Sequence, residues 1–127
     1  VSSINDKWTL VFFVKSECNQ FCEDKLYEVR QIRLALGKDR DKVDRLLVSR
    51  KIQSWETFSD SFNGQKYIDP KSKDYERLVK KFEEYPKFDI SGTYLIDPFG
   101  FLMMKYKIDA NPMGTIKDIE RLIRNQK

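Results

Sequence analysis

The chain has 127 residues, 40% hydrophobic and 35% charged, with a formal net charge of +4 and no histidine. That length makes a single domain, residues 1–127, with room for a core that needs no staples. The missing histidine excludes imidazole acid–base catalysis, His-based triads, and most zinc and type 2 copper sites, and no apolar run approaches a membrane span.

The cations are spread among acids, as in Lys38-Asp39-Arg40-Asp41-Lys42. No basic stripe is interleaved with aromatics, so a nucleic acid partner is not expected. The chain begins with Val1 rather than Met, and a natural signal or membrane anchor is expected before it.

Val1 to Lys7 is a polar lead-in. Trp8 to Val14 reads as a first strand, and its lack of alternation predicts burial on both faces. Ser16-Glu17-Cys18-Asn19-Gln20-Phe21-Cys22 follows and carries both cysteines of the chain. A first helix runs from about Asn19 to Leu36, striped by Leu26, Val29, Arg33 and Leu36 with help from Ile32. Gly37 stops it. Val43 to Ser49 is a second strand. Strand, helix, strand implies a parallel pair with a right-handed crossover.

Arg50 to Pro70 is irregular. Its aromatics, Trp55, Phe58, Phe62 and Tyr67, suit a long connection pinned to the core. A short helix through Trp55, Phe58 and Phe62, serving as a lid beside the thiols, is the alternative. Lys73 to Tyr85 is a second helix with Tyr75, Leu78, Val79 and Phe82 on one face, ended by Pro86. Thr93–Ile96 and Phe101–Tyr106 form an antiparallel hairpin about the type I turn Asp97-Pro98-Phe99-Gly100. Asn111-Pro112 suits an N-cap and first helical residue, and Ile116, Ile119, Leu122 and Ile123 stripe the last helix.

The order is βαβ, helix, ββα. A parallel unit joined to an antiparallel hairpin, with helices on both faces, is the thioredoxin-like α/β arrangement. Its four-stranded mixed sheet should have the order 2-1-3-4.

The cysteines fall between the first strand and the first helix. That places sulfur at the carboxyl end of a parallel strand, where open α/β sheets do their chemistry. The helix N-terminus there favours thiolate over thiol. Lys15 and Lys25 add to this, while Glu17, Glu23 and Asp24 oppose it. At i, i+4 spacing Cys18 and Cys22 share a face, close enough to form a disulfide or to chelate one soft metal ion as two thiolates. A structural disulfide, or two unrelated buried thiols, remains the bland alternative.

The C-x-x-x-C spacing, together with Thr93-Tyr94-Leu95-Ile96-Asp97-Pro98-Phe99-Gly100, resembles the Sco/SenC proteins. The runs from Leu26 to Lys38 and from Tyr94 to Met104 resemble a proteobacterial branch of short Sco-like proteins. The resemblance implies a role in cytochrome c oxidase assembly, by copper delivery or thiol reduction. It implies an oxidase subunit or assembly factor as partner, and a bacterial periplasmic location with an N-terminal anchor in the inner membrane. The family's copper-ligand histidine, five residues before the strand tyrosine, corresponds to Asp89. Asn19 stands where Sco proteins usually have proline, and Gly92 where thioredoxin-type oxidoreductases have a cis-proline.

Three functions follow. In a thiol-disulfide oxidoreductase, Cys18 attacks and Cys22 resolves. In a Cu(I) carrier, Cys18 and Cys22 hold the metal with a third ligand from Asp89, Met103, Met104 or a partner. Met103 and Met104, adjacent on a strand, face opposite ways and cannot both reach it; core on one face and helix-covered surface on the other is their ordinary role. In a non-catalytic assembly protein, the cysteines form a structural disulfide.

Overall fold

Seven consecutive buried residues, Trp8–Val14, form β1 at the centre of the sheet. The computed structural model describes residues 6–15, 18–49 and 62–126. β1 pairs in parallel with β2 (Val43–Ser49), from Trp8 opposite Val43 to Val14 opposite Ser49. On its other edge it pairs antiparallel with β4 (Thr93–Ile96), from Thr9 opposite Ile96 to Phe12 opposite Thr93. β5 (Leu102–Tyr106) completes the hairpin. Beyond β2 lies a two-residue strand, β3 (Lys66–Tyr67), paired in parallel with Leu46 and Leu47.

The sheet order is therefore β3-β2-β1-β4-β5. The expected four strands keep their order, and β3 adds a fifth at the edge. Two residues are too few to show a period of two, so this strand leaves no pattern in the sequence.

Helices cover both faces. α1 (Gln20–Ala35) and α3 (Pro112–Arg124) lie on one side. There Leu10, Phe12, Val14, Leu47 and Leu95 meet Cys22, Leu26, Val29, Ile32, Ile119 and Ile123. α2 (Lys73–Glu83) covers the other side, where Val11, Phe13, Leu46, Val48, Tyr94 and Ile96 meet Leu78 and Phe82. The central strands β2, β1 and β4 are thus buried on both faces, which is why β1 reads as an unbroken apolar run. The second core holds a cluster of aromatic rings. The Phe82 ring lies 5.0 Å from both Phe13 and Tyr94 in edge-on geometry, and Phe88 stacks on Tyr94 at 5.7 Å.

The element ends follow local chemistry. Gly37, at φ 57°, ends α1 in the left-handed region that glycine tolerates. α2 stops at Glu83, two residues short of Tyr85, because the amide of Tyr85 bonds back to Phe82 in a tighter turn. β5 begins at Leu102 and not Phe101. The Phe101 carbonyl is taken by the amide of Asp97, and the Asp97 carboxylate accepts the amides of Phe99 and Phe101. Asn111 and Ser72 cap α3 and α2 through their side-chain oxygens.

Two core assignments change. Ile32, not Arg33, is the wholly buried member of the α1 stripe; Arg33 reaches out and donates from Nε to the Val43 carbonyl at 2.9 Å. Met104 packs against the core, but Met103, on the opposite face of β5, is 42% exposed rather than covered by a helix. Trp55 and Phe58, with the short helix or lid they suggested, lie outside the described residues. Phe62 and Tyr67 do pack against the α1 side of the core. No helix among the described residues is long and apolar enough to cross a membrane.

Candidate redox site

β1 delivers the chain to the carboxyl edge of the sheet, and α1 starts there. Its cap is Asn19, whose side-chain oxygen accepts the Cys22 amide at 3.2 Å while its carbonyl accepts the Glu23 amide at 2.9 Å. The first turn of a helix leaves its amides without partners, and a short polar side chain satisfies one of them. A proline at this position would lack that side chain. Asn19 thus fixes the turn on which both sulfurs stand.

Cys18 and Cys22 are joined by a disulfide with Cα atoms 5.1 Å apart. Cys18 lies just before the cap and is half-buried; Cys22 is the third residue of α1 and wholly buried. Only Cys18 is open to attack. The helix N-terminus places partial positive charge beside it.

Lys25, one turn further along α1, is 4% exposed. Its Nζ donates to Thr93 Oγ1 at 3.0 Å and lies 3.8 Å from a Glu28 carboxylate oxygen. As a sequence, Lys25 reads only as a charge near the thiols. The signal for its burial is its position on the stripe of Cys22, Leu26 and Val29, where the other members are apolar.

At the cap of α1 is a hollow of ≈ 310 Å³ lined by Phe13, Val14, Lys15, Asn19, Phe21, Ile90 and Ser91. It adjoins a second hollow of ≈ 270 Å³ that shares Phe13, Val14, Lys15 and Ile90 and runs toward Tyr75 and Val79 of α2. Together they form a mostly apolar trough passing Asn19.

Asp89 sits in the turn before β4. Its Oδ1 accepts the Ser91 hydroxyl at 2.7 Å and the Ser91 amide at 3.0 Å. These bonds, the hydroxyl's first, hold its carboxyl below the usual carboxylate range. The Tyr94 hydroxyl donates to the Asp89 carbonyl at 3.0 Å and accepts its amide at 2.8 Å, pinning the turn from the core. Gly92 follows. A Cβ there would lie 3.0 Å from the Tyr106 carbonyl and 3.3 Å from that of Asp89, so the backbone packing leaves no room for a side chain. No peptide bond among the described residues is cis.

Among the described residues no group of three His, Cys, Asp or Glu side chains could hold a metal ion. With its sulfurs joined, the pair offers no thiolate, the chain has no imidazole, and Asp89 is engaged by Ser91. On reduction the pair would give two soft thiolates without a nitrogen donor, a set that suits Cu(I) and not Cu(II).

A family profile described as transmembrane-like, thioredoxin-like, C-terminal domain matches residues 8–125. The chain belongs to this thioredoxin-like family.

No curated protein sequence matches this thioredoxin-like domain significantly. Among solved structures it is similar to Bradyrhizobium japonicum ScoI with copper bound, at 23% identity and a TM-score of 0.71 over 94% of this chain and 87% of that one. It is also similar to yeast Sco1 with copper bound, at 16% identity and a TM-score of 0.78 over 99% and 84% of the two chains. A third likeness is to the thioredoxin domain of a thiol-disulfide oxidoreductase from Bacteroides vulgatus, at 15% identity and a TM-score of 0.61 over 97% and 84%. These likenesses establish a shared fold, with Sco proteins among its structural neighbours.

Proposed function

We propose that this domain is a Sco-like thiol-disulfide exchange protein that assists cytochrome c oxidase assembly in the bacterial periplasm. The observation that carries the chemistry is the asymmetry of the disulfide: Cys18 is half-buried at a capped helix N-terminus, and Cys22 is wholly buried behind it. That is how an attacking and a resolving thiol differ.

A partner thiolate attacks Cys18 Sγ. The new S–S bond forms as the Cys18–Cys22 bond breaks, and the electron pair leaves on Cys22 Sγ. A second partner thiolate then attacks the partner sulfur of the mixed disulfide and expels Cys18. The domain ends as a dithiol and the partner as a disulfide. Run in reverse, Cys18 attacks a partner disulfide and Cys22 resolves the adduct. The trough past Asn19 suits an extended, partly apolar segment carrying the partner cysteines. Likeness to the Sco proteins supports an oxidase subunit or assembly factor as that partner, and an N-terminal tether to the inner membrane.

Equilibration of the pair with glutathione tests this function: an exchanging pair shifts between dithiol and disulfide across physiological poise, and a structural one stays oxidised.

Copper as cargo is the second candidate, favoured by the close approach of two sulfurs that become soft thiolate donors on reduction. Without imidazole these suit Cu(I) and not Cu(II). Reduced native protein titrated with Cu(II) should show no stable, stoichiometric thiolate-to-copper charge-transfer band. Such a band would contradict the donor argument, whereas one that arises only in Asp89→His would show that Asp89 occupies the place of the missing nitrogen ligand.

A further inference from the structure

A lysine is a costly residue to bury, because its ammonium loses water and needs a partner. Lys25 is 4% exposed, yet its partners are weak: one neutral hydroxyl and one carboxylate at 3.8 Å that is itself 29% exposed. Neither explains why a cation sits on the apolar stripe of α1.

Its position relative to the disulfide does. Lys25 follows Cys22 by three residues, and such pairs on a helix are neighbours, with Cβ atoms about 5–6 Å apart. Helical side chains lean toward the helix N-terminus, here toward the sulfurs. Thr93, which holds the ammonium, opens β4 opposite Phe12, close to the thiol end of β1. The charge is therefore tethered at the carboxyl edge of the sheet, within about one helical turn of Cys22.

We propose that the buried Lys25 ammonium stabilises the Cys22 sulfur as it leaves as thiolate during thiol attack on Cys18. This rests on the thiol-exchange function proposed above. The disulfide is neutral and the departing Cys22 sulfur is an anion with no access to water. A fixed cation near it favours the opened state and lowers the barrier to reach it, because a stabilised leaving group departs faster. As the bond between the attacking sulfur and Cys18 forms, the electron pair of the broken bond moves onto Cys22, near Lys25. Glu28 competes for the same cation and tempers the effect. Lys25 is a positioning and charge-stabilising residue; it forms no bond to the partner.

The test uses oxidised native protein, Lys25→Met, Thr93→Val and Glu28→Gln, each mixed with excess reduced glutathione at one pH. Opening is followed by acid quench, alkylation and mass spectrometry, and the final dithiol fraction is measured in glutathione buffers. Lys25→Met should open about tenfold more slowly and favour the disulfide by about tenfold, equivalent to a potential lower by about 30 mV. Thr93→Val, which frees the ammonium without removing it, should fall between the two, and Glu28→Gln should open faster than native protein. Circular dichroism and the thermal midpoint register structural damage, which by itself would not slow opening. Native rates and equilibria in Lys25→Met would overturn the proposal. If that variant does not fold, native rates in both Thr93→Val and Glu28→Gln would overturn it equally. Native protein inert to glutathione would overturn the thiol-exchange function and this proposal together; exchange unaffected by Lys25→Met would overturn this proposal alone.

Discussion

Cys22→Ser protein should capture a small disulfide on Cys18 and keep it. Cys18→Ser protein should react at least about a hundredfold more slowly with the same reagent, because thiol reactivity follows thiolate character and access. Cys18 lies ahead of the Asn19 cap where solvent reaches it, while Cys22 is wholly buried among Phe12, Val14 and Leu26. Once Cys18 has formed a mixed disulfide, the group able to release it is Cys22 Sγ, and serine cannot do so. Incubation of each reduced variant with oxidised glutathione, followed by intact-mass measurement over time, gives the two rates and the adduct lifetime. Comparable reactivity at the two positions would remove the assignment of attacker and resolver.

The second large effect is on stability. Phe82→Ala should lower the unfolding free energy by about 3–5 kcal/mol. Phe82 is 2% exposed, and its ring lies 5.0 Å from Phe13, 5.0 Å from Tyr94, 6.0 Å from Phe88 and 6.1 Å from Tyr85. Its removal leaves a hole among four rings that cannot all close on it. Against a usual total of about 5–15 kcal/mol, that is a substantial share. The loss also reaches the site, since Phe13 lines the trough at the cap of α1 and Tyr94 pins the turn of Asp89. Phe99→Ala is the control: at 83% exposure it should change stability by less than about 0.5 kcal/mol. Urea unfolding of both oxidised variants measures the pair.

The elements were legible where periodicity and capping agree. Trp8–Val14 and Thr93–Ile96 run as apolar segments bounded by polar ones, and Asn111-Pro112 marks the start of α3 by cap chemistry alone. The strand-loop-helix order placed Cys18 and Cys22 between β1 and the start of α1, where the disulfide lies. Spacing also predicted that the sulfurs could meet, and they do.

What escaped the sequence depends on contacts between distant segments. β3 exists because the chain at Lys66–Tyr67 comes to lie along β2. The contact of the buried Lys25 ammonium with Thr93 joins residues 68 positions apart, which no local pattern shows. Gly92 is confined by the Tyr106 carbonyl of the neighbouring strand, which no local pattern shows. Met103 is exposed while Met104, its neighbour on the other face of β5, packs against the core, a difference that depends on which helix covers which face.

The central claim is that the Cys18–Cys22 disulfide exchanges rather than merely staples the start of α1. Its reduction potential, taken from the dithiol fraction across glutathione buffers by alkylation and mass spectrometry, tests that claim most directly. A capped helix N-terminus and a reachable Cys18 both favour the reduced state, so the potential should fall between about −270 and −180 mV, the range of exchanging dithiols. A value below about −300 mV, where structural disulfides lie, would contradict it.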